Sequence, residues 1–211
     1  MREDDGFTLV DTMIPGSAKG VLDAAISAGA PVRRILLTHA HGDHVGSLDA
    51  LHEQLGPEVE VAITERDARF LAGDKSLDPG EPQSKLGGSY PTCSTRPAHR
   101  LGIEDRIGSL EVVASPGHTP GHISLWDPRD GTLIAGDAFS TLGGVATASR
   151  INPRFPLVGL ATWDRPTAQR SAQSLRSLAP SLLATGHGPV IPDPRQAMDE
   201  ATESGSRSLP A

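Results

Sequence analysis

Apolar positions along this chain fall into short runs separated by glycine and proline. Residues 7–11, with Phe7, Leu9 and Val10, predict a short strand that ends in a turn at Pro15 and Gly16. Ser17 is placed to cap a helix carrying Val21, Leu22, Ala25 and Ile26 at helical spacing, which stops near Gly29. Ile35, Leu36 and Leu37 form a continuous apolar run of strand length, the pattern of a buried strand. A second helix is expected with Val45, Leu48, Leu51 and Leu55 on one face. Residues 59–63 then predict a strand, and Thr64 a cap for a short helix reaching Leu71.

Residues 73–100 are rich in Pro, Gly and Ser without periodicity, which reads as a functional or mobile loop. Strand patterns resume at 110–114, 123–126 and 132–135, and residues 139–163 are again irregular. A helix is expected over 164–178, a strand over 182–185, and one short helix after Pro194. Helices alternate with strands early, and strands cluster in the middle. This order predicts an α/β (α+β) fold in packed layers, a single domain over 1–211 with no internal repeat.

Composition narrows the function. With 37% hydrophobic and 21% charged residues, the chain has the balance of a folded domain. No apolar run is long enough for a membrane span, and the polar start predicts a cytoplasmic protein. Acidic residues outnumber basic ones 26 to 19, and the nearest approach to a basic patch is Arg33 beside Arg34. That disfavours nucleic acid as a partner. Cys93 is the single cysteine, so an intramolecular disulfide and a thiolate metal cluster are excluded. The 23 Gly and 18 Pro suit a scaffold whose loops carry the function.

The candidate chemistry is concentrated where expected strands end. His39, His41, Asp43 and His44 lie within six residues, directly after the apolar run at 35–37. In extended chain His39 and His41 point to one side, and the following turn brings Asp43 and His44 nearby. Three further donors sit beside glycine at other strand ends: His118 in a Pro-Gly loop, Asp137 after Gly136, and His187 between Gly186 and Gly188. Imidazole nitrogen and carboxylate oxygen are zinc ligands, and four of them so close exceed the needs of one tetrahedral ion. Two adjacent ions are the natural solution. His52 and His99 are assigned no role, His122 a structural or supporting one, and Cys93 that of a loop thiol rather than a nucleophile.

The order His-x-His-x-Asp-His, then His, Asp and His, resembles the metallo-β-lactamase fold superfamily, in its glyoxalase II-like hydrolase branch. The resemblance runs from Asp11 to Gly188. It implies a four-layer αββα sandwich, here lacking the first N-terminal strand, with an open edge that would favour a homodimer. It also implies that His39, His41 and His118 hold one ion, that Asp43, His44 and His187 hold a second, and that Asp137 bridges both. The cofactors would be two divalent ions, zinc foremost, with manganese or iron suited to the same donors.

The implied activity is that of a metallo-hydrolase, in which a metal-bridged hydroxide cleaves an ester, thioester or lactone of a small molecule. Asp43 would be catalytic, orienting the hydroxide and relaying a proton. The alternative within the superfamily is a sulfur dioxygenase with one iron on His39, His41 and His118. Three departures bear on substrate. The short stretch after His187 offers Arg195 and Arg207 where glutathione thioesterases carry a basic helical region. Ser140 stands where lactonases carry Tyr, the chain's one tyrosine being Tyr90, and Met13 replaces a common Gly. Asp137 at the bridging place sets the chain apart from branches with a Cys ligand. Phe139, Trp163 and Arg154 are pocket candidates without an assigned role.

Overall fold

In the computed structural model, which describes residues 1–209, the chain divides into two units. The first comprises Met1–Lys75 and Ser89–Gly102. Its elements in chain order are β1 (Arg2–Glu3), β2 (Gly6–Val10), α1 (Ala18–Ser27), β3 (Val32–Leu36), α2 (Gly42–Val45), α3 (Leu48–Leu55), β4 (Glu60–Thr64), α4 (Glu65–Leu71) and β5 (His99–Leu101). The five strands lie in the order β1-β2-β3-β4-β5, antiparallel between β1 and β2 and parallel elsewhere. Parallel neighbours need crossovers, which the helices supply. Ile35, Leu36 and Leu37 are fully buried, as the unbroken apolar run requires of a central strand.

Four expectations change here. A strand does precede residues 7–11: β1 pairs with Gly6 and Phe7, and Met1 and Thr8 exchange backbone bonds, so this stretch of β2 is paired rather than open. The helix α1 forms, but only Ala18 is buried and Ile26 is 76% exposed, so its apolar spacing marks a surface helix. The expected helix through Leu55 is broken into α2 and α3. A side chain at Gly46 would meet Pro15 Cδ at 2.4 Å, and Ser47 Oγ donates to Ile14 O while accepting from Ser17 N–H, which fixes the chain at the break. Finally, the irregular stretch ends in β5, whose exposed His99 and Arg100 hide the strand from an apolar pattern, as suits a sheet edge. Thr64 caps α4 as expected, accepting from Asp67 N–H.

The second unit comprises Ser76–Gly88 and the chain from Ile103 onward. It contains β6 (Arg106–Ile107), β7 (Leu110–Ala114), β8 (Ile123–Asp127), β9 (Thr132–Ile134), β10 (Phe139–Ser140), β11 (Ala146–Thr147), α5 (Leu157–Ala161), α6 (Arg165–Ser177), β12 (Leu182–Ala184), β13 (Ile191–Pro192) and α7 (Arg195–Ser208). Six strands lie in the order β13-β12-β9-β8-β7-β6, with β9 and β12 parallel and the other neighbours antiparallel, while β10 and β11 pair separately. Leu133, Phe139, Ala172, Leu175, Leu183 and Met198 form its main core, so Phe139 is a core residue and not a pocket wall.

Asp164 caps α6 by accepting from Thr167 N–H at 2.9 Å. The tail is longer than its composition predicts: α7 has 14 residues and buries Met198, Ala201, Thr202 and Gly205. Gly205 explains this. A Cβ there would lie 2.2 Å from Gln169 Oε1, and Gln169 Nε2 donates to Thr202 O at 2.7 Å, so a small residue lets α7 seat against α6. Among the described residues no helix is long and apolar enough to cross a membrane.

Candidate metal centre

The first unit contributes the contiguous donors. The chain leaves β3 through Leu37 and Thr38 into His39, and a half-buried support is already in place at the end of β2. Asp11, in the left-handed region at φ 58°, accepts from Thr38 N–H, from Thr38 Oγ1 and from His44 Nδ1, each at 2.8 Å. A carboxylate in this role only accepts, so the His44 proton sits on Nδ1 and the lone pair on the buried Nε2. Thr38 spends its hydroxyl proton on Asp11 and therefore accepts from His39 Nδ1, 3.0 Å away. His39 is thus fixed in the same tautomer.

The ring of His39 lies 4.8 Å from that of His41 and 4.0 Å from that of His44. All three histidines are at most 3% exposed. Asp43 differs: its side chain is 45% exposed, with Oδ2 3.9 Å from His44 Nε2. The loop itself is anchored by main-chain bonds. Ala40 N–H donates to the fully buried Asp67 carboxylate, and Gly42 N–H donates to Ser89 O. The Tyr90 ring meets the His41 ring edge-on at 4.6 Å, and burial pushes its phenol well above the ordinary tyrosine range. Burial likewise pushes the Cys93 thiol up to about 11, so it stays protonated near neutrality, in keeping with an inert loop thiol.

The second unit gathers its donors from three separate turns. His118 follows β7 in a loop where Gly117 has φ 127° and a Cβ would fall 2.1 Å from Ala168 N. Trp163 N–H donates to His118 O and Asp164 N–H to Gly117 O, pinning that loop to the start of α6. Thr162 donates its hydroxyl to Val158 O and so accepts from His118 Nδ1 at 3.0 Å, which again leaves Nε2 as the donor atom. Asp137 follows β9 through Gly136, at φ 49°. His187 follows β12, and its carbonyl accepts from Thr141 and Leu142 N–H. Gly188, with φ 111°, leaves the room that Leu142 N needs, 2.3 Å from where a Cβ would be.

These three residues converge. Asp137 Oδ2 lies 3.4 Å from His118 Nε2 and 3.3 Å from His187 Nε2, and the aspartate is 2% exposed. A buried carboxylate facing two imidazole Nε2 atoms is the donor set that a divalent cation satisfies, and the donors of the first unit are of the same types. His/Asp clusters of metal-binding character are therefore present in both units. His52 is half-buried on α3, and His99 lies on β5, 3.5 Å from Glu60; neither joins a cluster. The sequence reading missed the supports Asp11, Thr38 and Thr162, and Phe155, whose ring lies 5.2 Å from that of His187. In the sequence, only the place of Asp11 at the end of the strand expected over 7–11 hints at it.

Comparison with known proteins agrees with this chemistry. Residues 1–187 match the metallo-beta-lactamase superfamily, and the chain belongs to it. It is 46% identical over 208 residues to "Uncharacterized protein YobT" of Bacillus subtilis, covering 98% of this chain and 89% of that one. It is 31% identical over 204 residues to "Probable metallo-hydrolase YflN" of the same organism, covering 88% and 76% respectively. The crystal structure of TTHA1623 in a di-iron-bound form superposes with a TM-score of 0.67 at 26% identity, covering 93% of this chain and 89% of that one. Hydroxyacylglutathione hydrolases are more distant relatives, and the match spans 44% of the length of the Legionella pneumophila enzyme. The fold is the metallo-β-lactamase fold, with two mixed sheets and their helices.

Proposed function

We propose that this member of the metallo-β-lactamase superfamily is a metal-dependent hydrolase that cleaves an ester, thioester or lactone of a small molecule. In this reading His39, His41 and His118 hold one divalent ion, Asp43, His44 and His187 hold a second, and Asp137 is shared. The observation that carries it is the placement of the buried Asp137 carboxylate between Nε2 of His118 and Nε2 of His187, one donor from each set. When bound, such a pair of ions supplies Lewis acidity that polarises a scissile carbonyl and makes water acidic enough to react near neutral pH. Zinc fits these donors, and so do manganese and iron.

The chain's own residues divide the remaining work. Asp11, Thr38 and Thr162 hold the protons of His44, His39 and His118 on Nδ1, so each ring presents a lone pair without rearranging. Asp43, the solvent-accessible donor, takes the proton of the attacking water and returns it to the departing oxygen or sulfur. The substrate is small and is not a nucleic acid, in keeping with the excess of acidic residues.

The test compares chelator-stripped and metal-reloaded protein on a panel of aryl esters, thioesters and lactones. Turnover of at least one class that is lost on stripping and restored by zinc or manganese is the expected result. Oxygen consumption with persulfides by the iron-loaded protein, without turnover of the panel, would instead identify the sulfur dioxygenase.

A further inference from the structure

His122 sits outside both sets of donors, yet it is 1% exposed and reaches from the loop of His118 to the main chain of Asp137. Its Nε2 lies 3.0 Å from Asp137 N, and its Nδ1 lies 3.0 Å from Ser115 O and 2.8 Å from Ser115 Oγ. An amide N–H can only donate and a carbonyl can only accept. The ring is therefore the neutral Nδ1–H tautomer, with its Nε2 lone pair spent on Asp137 N–H.

We propose that His122 is a positioning residue that sets where Asp137 presents its carboxylate, an inference that rests on the metal-centre reading above. The imidazole is a rigid spacer whose two nitrogens are bonded at opposite ends, so it fixes the distance from Ser115, at the end of β7, to Asp137, after β9. A second tie runs beside it. Ser115 Oγ lies 2.8 Å from Ser124 Oγ, which donates to Ala135 O at 3.3 Å. The turn through Gly136 is thus held at Asp137 by His122 and at Ala135 by Ser124. On its other side Gly186 N–H donates to Gly136 O, just ahead of His187. Shifting Asp137 would displace its carboxylate from both histidine donors together, whereas an ordinary buried hydrogen bond in the core would affect stability alone.

Two amide replacements separate the two bonds. His122→Gln can place its carbonyl oxygen where Nε2 stood, restoring the acceptor for Asp137 N–H. His122→Asn reaches only the Nδ1 position and keeps the bond to Ser115. The experiment is titration of the metal-stripped full chain with cobalt(II), followed by visible absorption, with thermal unfolding of each stripped variant alongside. His122→Asn is expected to weaken cobalt(II) binding by about 10–100-fold and to change the absorption band, while His122→Gln recovers most of the affinity at a similar melting temperature.

Equal binding by the two variants, whether native-like or weakened in step with melting temperature, would overturn the role. If neither variant folds, a two-bond 1H–15N correlation spectrum of the native protein decides: His122 must be the Nδ1–H tautomer, and an Nε2–H ring or an imidazolium overturns the proposal. Native protein that takes up no cobalt(II) would overturn the metal reading itself, and this role with it.

Discussion

The two sets of donors are built in opposite ways. In the first unit His39, His41, Asp43 and His44 are neighbours in sequence, so covalent geometry brings them close once β3 ends, and Asp11 and Asp67 only fix the loop that carries them. In the second unit His118, Asp137 and His187 come from three turns, and long-range contacts set their spacing. Gly117 packs on Ala168, Trp163 bonds to His118, and the His187 carbonyl is held by Thr141 and Leu142. A local motif tolerates imperfect surroundings, whereas a dispersed one inherits the precision of the whole unit. The second set should therefore be the more fragile one.

The largest effect should follow from Asp137→Asn, which removes the charge lying against both His118 and His187. Hydrolytic kcat/KM is expected to fall by about 10³-fold, measured on whichever substrate the panel identifies. Next is a pair of glycine substitutions, one beside each set. Gly117→Ala must clear Ala168 at a left-handed φ and should cost about 3 kcal/mol in urea unfolding. Gly42→Ala meets its nearest neighbour, the flexible Ser89 Oγ, at 3.3 Å and should cost less than about 1 kcal/mol. Equal costs would erase the contrast between the sets.

Removing a support should act on metal affinity while leaving the donors in place. Asp11→Asn frees the His44 tautomer, and Thr162→Val that of His118. Each should weaken cobalt(II) binding by about 10–100-fold, read by competition with a chelator. The last effect concerns stability away from the donors altogether. The Arg129 guanidinium and N–H hold the Asp127 carboxyl below the usual carboxylate range. A carboxyl with a depressed folded pKa stabilises above its unfolded value, about pH 4, and loses that contribution as pH falls through the folded value. Asp127→Asn should thus cost about 1–2 kcal/mol at pH 7, and its melting temperature should converge on that of the native protein toward pH 2.

What could be read from the sequence was what depends on neighbours in the chain. The apolar run at Ile35, Leu36 and Leu37, the cap at Thr64, the helix beginning near Asp164 and the clustered donor types after β3 all declare themselves locally. Elements decided by distant partners did not. The break between α2 and α3 needs Pro15 lying on Gly46, and the length of α7 needs Gln169 beneath Gly205. The short edge strands β5 and β13 carry no apolar alternation. In the centre, donor residues are recognisable by type and by their glycine neighbours. Their supports are an aspartate and a threonine just past strand ends and a threonine at the end of α5, and only the hydrogen bonds reveal what Asp11, Thr38 and Thr162 do.

The most direct test of the account is elemental mass spectrometry of protein purified without added metal, for the native chain and for Asp137→Asn. A dinuclear centre sharing Asp137 predicts two equivalents of zinc, manganese or iron per native chain, falling to one or fewer in the variant. A single iron per chain, unchanged by Asp137→Asn, would contradict it.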